Sequence, residues 1–185
     1  VNSQVGIGKG HDIEVEDDVS CYMEFPHGAS GLFLTSTGET PGSNRLEISG
    51  TKGRLLLEND RLVFTRNAVP SDEWCKTSKI GFKQPETTVE EIDIPGAESP
   101  HSILMTNFTN AILKGEDLIA PGEEGLGSVE LANAMLFSGL LEGPLELPMD
   151  GVAWEDKLNE LIAGSTHEKK VVEVSGDDFS ASFRR

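Results

Sequence analysis

The chain has 185 residues, 37% hydrophobic and 25% charged, which fits one globular domain with a sizeable core and excludes disordered and collagen-like classes. Its net charge of −17 repels phosphate backbones, so nucleic acid and anionic membrane surfaces are excluded as partners. No apolar run approaches the ~18–20 residues that span a bilayer, and Val1-Asn2-Ser3-Gln4-Val5 has neither the basic nor the apolar part of a signal peptide.

The chain starts without an initiator Met, as an excised or processed segment would. Asp18 to Phe25 alternates, with Val19, Cys21, Met23 and Phe25 on one side of a strand. Pro26-His27-Gly28 is turn chemistry, and Gly31 to Thr37 is a second strand, so the two form an antiparallel hairpin. Asn44 to Ser49 is a third strand, and Gly50-Thr51-Lys52-Gly53 turns it into a fourth, Arg54 to Glu58. After Asn59-Asp60 comes a fifth, Arg61 to Thr65. Strands recurring about every ten residues mark an antiparallel meander. Residues 67–87 are polar and contain prolines, and they read as an irregular excursion loop. Thr88 to Ile94 alternates again and returns to the sheet.

The period then changes. Leu104, Phe108, Ala111 and Ile112 form one helical stripe, with Ser99 as cap, Pro100 in the first turn and Gly115 at the end. A second helix runs from about Glu123 to Leu141, acidic at its positive end and apolar around most of its middle. Pro144 to Pro148 reads as a short strand. Asp150 caps a third helix whose Trp154, Leu158, Leu161 and Ile162 share a face. The expected organisation is one domain over residues 1–165 and a tail over 166–185, with Val171 to Val174 as a possible extra edge strand. Strands followed by helices give an α+β class: a large, open, mostly antiparallel sheet with helices on one face. Leu32-Phe33-Leu34, Leu55-Leu56-Leu57 and Leu62-Val63-Phe64 put apolar side chains on both faces. The face without helices is therefore expected to be apolar and to meet another chain or domain. A sheet curled on itself is the alternative.

Few motifs carry chemistry. Val5-Gly6-Ile7-Gly8-Lys9-Gly10 resembles a phosphate loop, but the spacing is GxGxG and an acidic stretch follows instead of a helix, so a flexible loop is expected. Glu14, Glu16, Asp17 and Asp18 could be paired catalytic carboxylates or cation ligands, yet nothing supplies an acid/base partner, and a solvated strand entry is the plainer reading. His11, His27, His101 and His167 lack metal-ligand spacing. His27 and His167 read as surface residues. His101 lies in the first turn of a helix and is the candidate substrate contact; the plainer reading is a capping or surface histidine. Asn107-Phe108-Thr109 is a glycosylation sequon inside a helix and is discounted, and there is no GxSxG elbow. Cys21 and Cys75 read as free thiols in a reducing cytoplasm. No catalytic, cofactor-binding or metal residue is assigned.

The order of motifs carries more than any one of them. Glu16-Asp17-Asp18 enters a strand ending at Phe25; Pro26-His27-Gly28-Ala29 leads to Ser36-Thr37-Gly38; Asn44-Arg45-Leu46-Glu47-Ile48-Ser49-Gly50-Thr51-Lys52-Gly53 follows. Then come His101…Asn107-Phe108…Ala111-Ile112…Gly115, Gly122-Glu123-Glu124-Gly125…Glu130-Leu131-Ala132-Asn133-Ala134…Ser138, and Glu146-Leu147-Pro148. Over about residues 12–162 this series resembles the C-terminal domain of the glucose–fructose oxidoreductase / inositol dehydrogenase (Gfo/Idh/MocA) family, with His27 where the family usually has Asn. The resemblance implies a large open sheet with helices on one face and a subunit interface on the other. It implies hydride transfer between NAD or NADP and a sugar or polyol, with the cofactor on an N-terminal Rossmann domain. The family's Glu-Lys-Pro lysine and Asp-x-x-x-His pair have no counterpart here, so no catalytic residue is carried over, and Arg45 and Glu47 are expected to pair across the sheet. The expected protein is the substrate-side and homo-oligomerisation domain of such an oxidoreductase, cytoplasmic and inactive alone. A stand-alone binding or scaffold module is the alternative, and a hydrolase built on Glu14–Asp18 the weaker rival.

Overall fold

A computed structural model describes residues 1–94 and 100–167. The chain divides into two units: one formed by Val1–Gly38 with the segment from Glu123 onward, the other by Glu39–Gly122.

In the first unit, β1 (Asn2–Ile7), β2 (Glu16–Glu24) and β3 (Ser30–Ser36) form an antiparallel sheet in the order β1-β2-β3. Strand β1 corrects the expected flexible glycine loop: Val5 and Gly6 pair with Val19 and Asp18, and an irregularity follows between Gly6 and Ile7. Glycine weakens a strand signal, which is why this one was hard to read. The β2–β3 hairpin has the expected register, Cys21 facing Phe33. His27, in its turn, has φ 73°, a left-handed conformation that Asn adopts more readily than most residues.

Helix α3 (Glu124–Leu141) lies against β1 and β2. Val19, Cys21 and Met135 are buried there, with Val1, Val5, Met23 and Leu131 packed around them. Each such burial contributes roughly 1.5–3 kcal/mol. Gly139 is the point of closest approach, because a methyl group there would collide with the Val5 side chain. Ser138 is completely buried; its hydroxyl accepts from Ser3 N (3.0 Å) and donates to the Gly143 carbonyl (2.7 Å). Pro144–Pro148 is not a strand, although Val1 and Leu145 exchange backbone hydrogen bonds. Helix α4 (Gly151–Gly164) starts at Asp150 as expected, whose carboxylate accepts from Val152 N and Ala153 N. Trp154 packs on Phe137 of α3 with ring centroids 5.6 Å apart.

In the second unit, β4 (Arg45–Gly50), β5 (Gly53–Glu58), β6 (Arg61–Asn67) and β7 (Thr87–Ile92) form a four-stranded antiparallel meander. Gly53 has φ 143° and sits against the Thr65 carbonyl, where a side chain would clash. The expected excursion loop contains a short helix, α1 (Ser71–Thr77), with Asp72 and Glu73 in its first turn and Trp74 Nε1 donating to the Lys83 carbonyl. Seven residues are too few to show a helical stripe. Helix α2 (Pro100–Lys114) ends just before Gly115. Its proposed cap Ser99 lies outside the described residues, as does the tail from residue 168, including the possible strand at Val171–Val174.

The α+β class with open antiparallel sheets holds; the strands are divided between two sheets. Pairing in the second unit places Leu46, Ile48, Leu55, Leu57, Leu62 and Phe64 on one face, with Arg66 and Glu90 beside Phe64, and Arg45, Glu47, Arg54, Glu58 and Arg61 on the other. Leu56 and Val63 join the charged face, so the alternation is cleaner than the apolar triplets suggest.

Candidate functional site

The most constructed polar site is the loop after β1. Alternation along β2 puts Asp17 on the same side as Val19 and Cys21, and its side chain is 1% exposed. Its carboxylate accepts from Lys9 N (2.9 Å), Gly10 N (2.7 Å) and His11 N (3.0 Å), and His11 Nδ1 lies 3.2 Å from Oδ2. The Gly10 N–H above all, with the Lys9 and His11 donors, holds the Asp17 carboxyl down at about 2, against the opposing effect of burial. Lys9 Nζ reaches Asp18 at 2.9 Å.

This arrangement answers the dinucleotide question for these residues. A pyrophosphate needs free N–H donors at a helix tip. Here the Lys9, Gly10 and His11 amides already serve a buried carboxylate, and β2 follows instead of a helix. The residues at Gly6–Gly10 do not fit a nicotinamide dinucleotide.

The acidic cluster is not simply a solvated strand entry. Glu14 accepts from the Ser165 hydroxyl and from the Thr166 amide and hydroxyl. Those bonds, Ser165 first, bring its carboxyl to about 2. Asp17 anchors the loop and Asp18 pairs with Lys9, so three of the four carboxylates have partners within the fold, which weighs against a paired acid/base role for them. The Asp17 anchor is the residue that the sequence reading missed; its parity with Val19, Cys21 and Met23 was the available signal.

In the second unit, Arg45 pairs with Glu47 along β4, because residues two apart share a face. Across the sheet, Arg45 to Glu58 and Arg54 to Glu47 are both 3.9 Å. Arg61 makes a two-pronged contact with Glu91 (2.9 and 2.6 Å), which lowers the Glu91 pKa and raises that of Arg61. A shallow depression of about 270 Å³ beside them is lined by Asp60, Arg61, Glu91, Ile92, Asp93 and Ile94. It is below the size usual for small-molecule pockets, and its guanidinium is engaged. His101 is exposed in the first turn of α2. Asn107 is occupied structurally: its amide donates to the Asp117 carbonyl and accepts from Ile119 N. Cys21 and Cys75 are free, the first buried and the second exposed. Among the described residues, no cluster of His, Cys, Asp and Glu could hold a metal ion, and no helix is long and apolar enough to cross a membrane.

Fold and site together define an α+β domain of open antiparallel sheets whose glycine loop serves its own aspartate. Residues 1–56 match the family model for the GFO/IDH/MocA C-terminal domain. The match spans the three-stranded sheet, β4 and most of β5, and over that stretch it supports the resemblance read from the motif order. No curated protein matches the chain.

Proposed function

We propose that this chain is the substrate-side and self-associating domain of an NAD(P)-dependent sugar or polyol oxidoreductase. The match of residues 1–56 to a C-terminal domain of that family carries the reading. The nicotinamide is held by a dinucleotide-binding domain, since the one glycine-rich loop here has committed its amides to Asp17. The chain's own contribution is positioning: it supplies one wall of the sugar pocket, with His101 as the substrate contact, and the surface on which subunits meet. The apolar face of the four-stranded sheet suits that second task. Leu46 and Ile48 on it are exposed, and exposed apolar side chains grouped on an antiparallel sheet suit an interaction surface. Hydride transfer is beyond the chain alone.

Isothermal calorimetry of the chain with NAD and NADP tests the assignment. No heat of binding is expected up to millimolar cofactor; a micromolar dissociation constant would overturn it.

A further inference from the structure

Asp17 does more for the β1–β2 loop than hold it. The backbone N–H groups of Lys9, Gly10 and His11 already fasten the loop to its carboxylate. A further contact goes to a side chain, with His11 Nδ1 at 3.2 Å from Oδ2. A surface imidazole with no task keeps its rotamer freedom. This ring is half-exposed, at 45%, yet it is held by a carboxylate that is 1% exposed.

The contact fixes which ring nitrogen carries the proton. The Asp17 carboxyl is ionised at neutral pH, because its donors hold it down at about 2, and an ionised carboxylate only accepts. Nδ1 is therefore the donor, and the neutral ring keeps its lone pair on Nε2. Among the described residues Nε2 makes no hydrogen bond; the ring's contacts are all at Nδ1.

The groups around the ring are small and polar. Thr37 Oγ1 lies 3.5 Å from Nδ1, and the Ser36 hydroxyl accepts from Gly38 N (3.1 Å). Gly10 and Gly38 meet backbone to backbone beside them, so no side chain from either crowds the spot. An oriented acceptor next to hydroxyls suits few ligands. A metal ion needs several His, Cys, Asp or Glu ligands, and no such cluster occurs among the described residues. An anion would face the Nε2 lone pair with the Asp17 charge behind it. A ligand hydroxyl can donate to Nε2, and a second hydroxyl on the same carbon frame can bond the Thr37 hydroxyl.

We propose that His11 is a ligand-binding residue whose Nε2 accepts a hydrogen bond from a hydroxyl of a sugar or polyol, with Asp17 setting its tautomer. The ligand class rests on the oxidoreductase reading; the tautomer does not. The contact is separate from His101.

NMR of the full chain, isotopically labelled at its histidine ring nitrogens, tests both parts. At a pH where the ring is neutral, His11 should carry a proton on Nδ1 and none on Nε2. Asp17→Asn should mix or reverse that preference, because its amide can donate to Nδ1. Added inositol or glucose should shift the His11 Nε2 resonance saturably and leave His27 unmoved. His11→Phe should weaken binding of the same probe, followed at the Thr37 amide, about tenfold, the scale of one hydrogen bond. A proton on Nε2 in the unmodified chain overturns the proposal. So does a His11 resonance that neither probe moves, or unchanged binding in His11→Phe. A response at His101 alone overturns this contact and leaves the oxidoreductase reading standing. A response at His11 together with micromolar cofactor binding by the chain keeps the contact and overturns that reading.

Discussion

The two sheets obey the same rule and reach different ends. In the three-stranded sheet, the inward side chains Val19 and Cys21 meet Met135 of α3 and are buried. In the four-stranded sheet, the equivalent row includes Leu46 and Ile48, at 56% and 57% exposed, and none of the described residues from 39 to 122 is fully buried. Alternation creates an apolar face in both; only a covering element turns it into a core. The first sheet is stabilised from within its own unit, while the second leaves Leu46 and Ile48 exposed on its own apolar row.

The comparison can be broken most severely at Gly139. A valine there would strike Val5 and push α3 away from β1. The expected cost is about 2–3 kcal/mol, from overpacking a close contact. Urea denaturation would show it as a lower midpoint, and an unchanged midpoint would mean that helix and strand are not in intimate contact.

A milder probe is acid. The Asp17 carboxyl is lowered from 3.8 to about 2 by its bonds, Gly10 N first. A carboxyl depressed on folding contributes stability that is complete above its unfolded pKa and lost as pH falls through its folded one. Protection of the Lys9, Gly10 and His11 amides from hydrogen exchange should therefore hold above about pH 4 and decline toward pH 2. Asp17→Asn should lower protection throughout and flatten that profile; an unaltered profile would remove Asp17 as the anchor.

The smallest effect on stability is expected at Ile48, on the exposed apolar face. Ile48→Lys should change the unfolding free energy by less than about 0.5 kcal/mol. It should nevertheless weaken self-association through that face, read as a lower sedimentation-equilibrium mass. A large loss of stability with unchanged association would mean that the face is covered within the chain.

Much of this was legible in the residues. Strands β2 to β7 follow from alternation and turn chemistry, and α4 from the capping Asp150. The motif order pointed to the family that residues 1–56 match. Three features escaped for physical reasons. Strand β1 contains Gly6, and its pairing is set by β2, far enough along the chain that local pattern is mute. Helix α1 is too short for a stripe to emerge. The division into two sheets depends on which strand pairs with which, and a one-dimensional pattern does not encode this. For the site, the glycine spacing argued against a phosphate loop, while the use of its amides by Asp17 was visible only in the structure.

The hydroxyl of Ser138 also bears on how the molecule is assembled. It joins the third residue of the chain to a carbonyl at position 143, with the whole Glu39–Gly122 unit lying between them in sequence. During synthesis, β1 and β2 must therefore wait for well over a hundred residues before the helix that buries them exists. Contacts this remote slow folding and leave strands uncovered meanwhile. The intervening unit, closed by hairpins between neighbours in sequence, can complete its sheet while the outer one is still waiting for its lid.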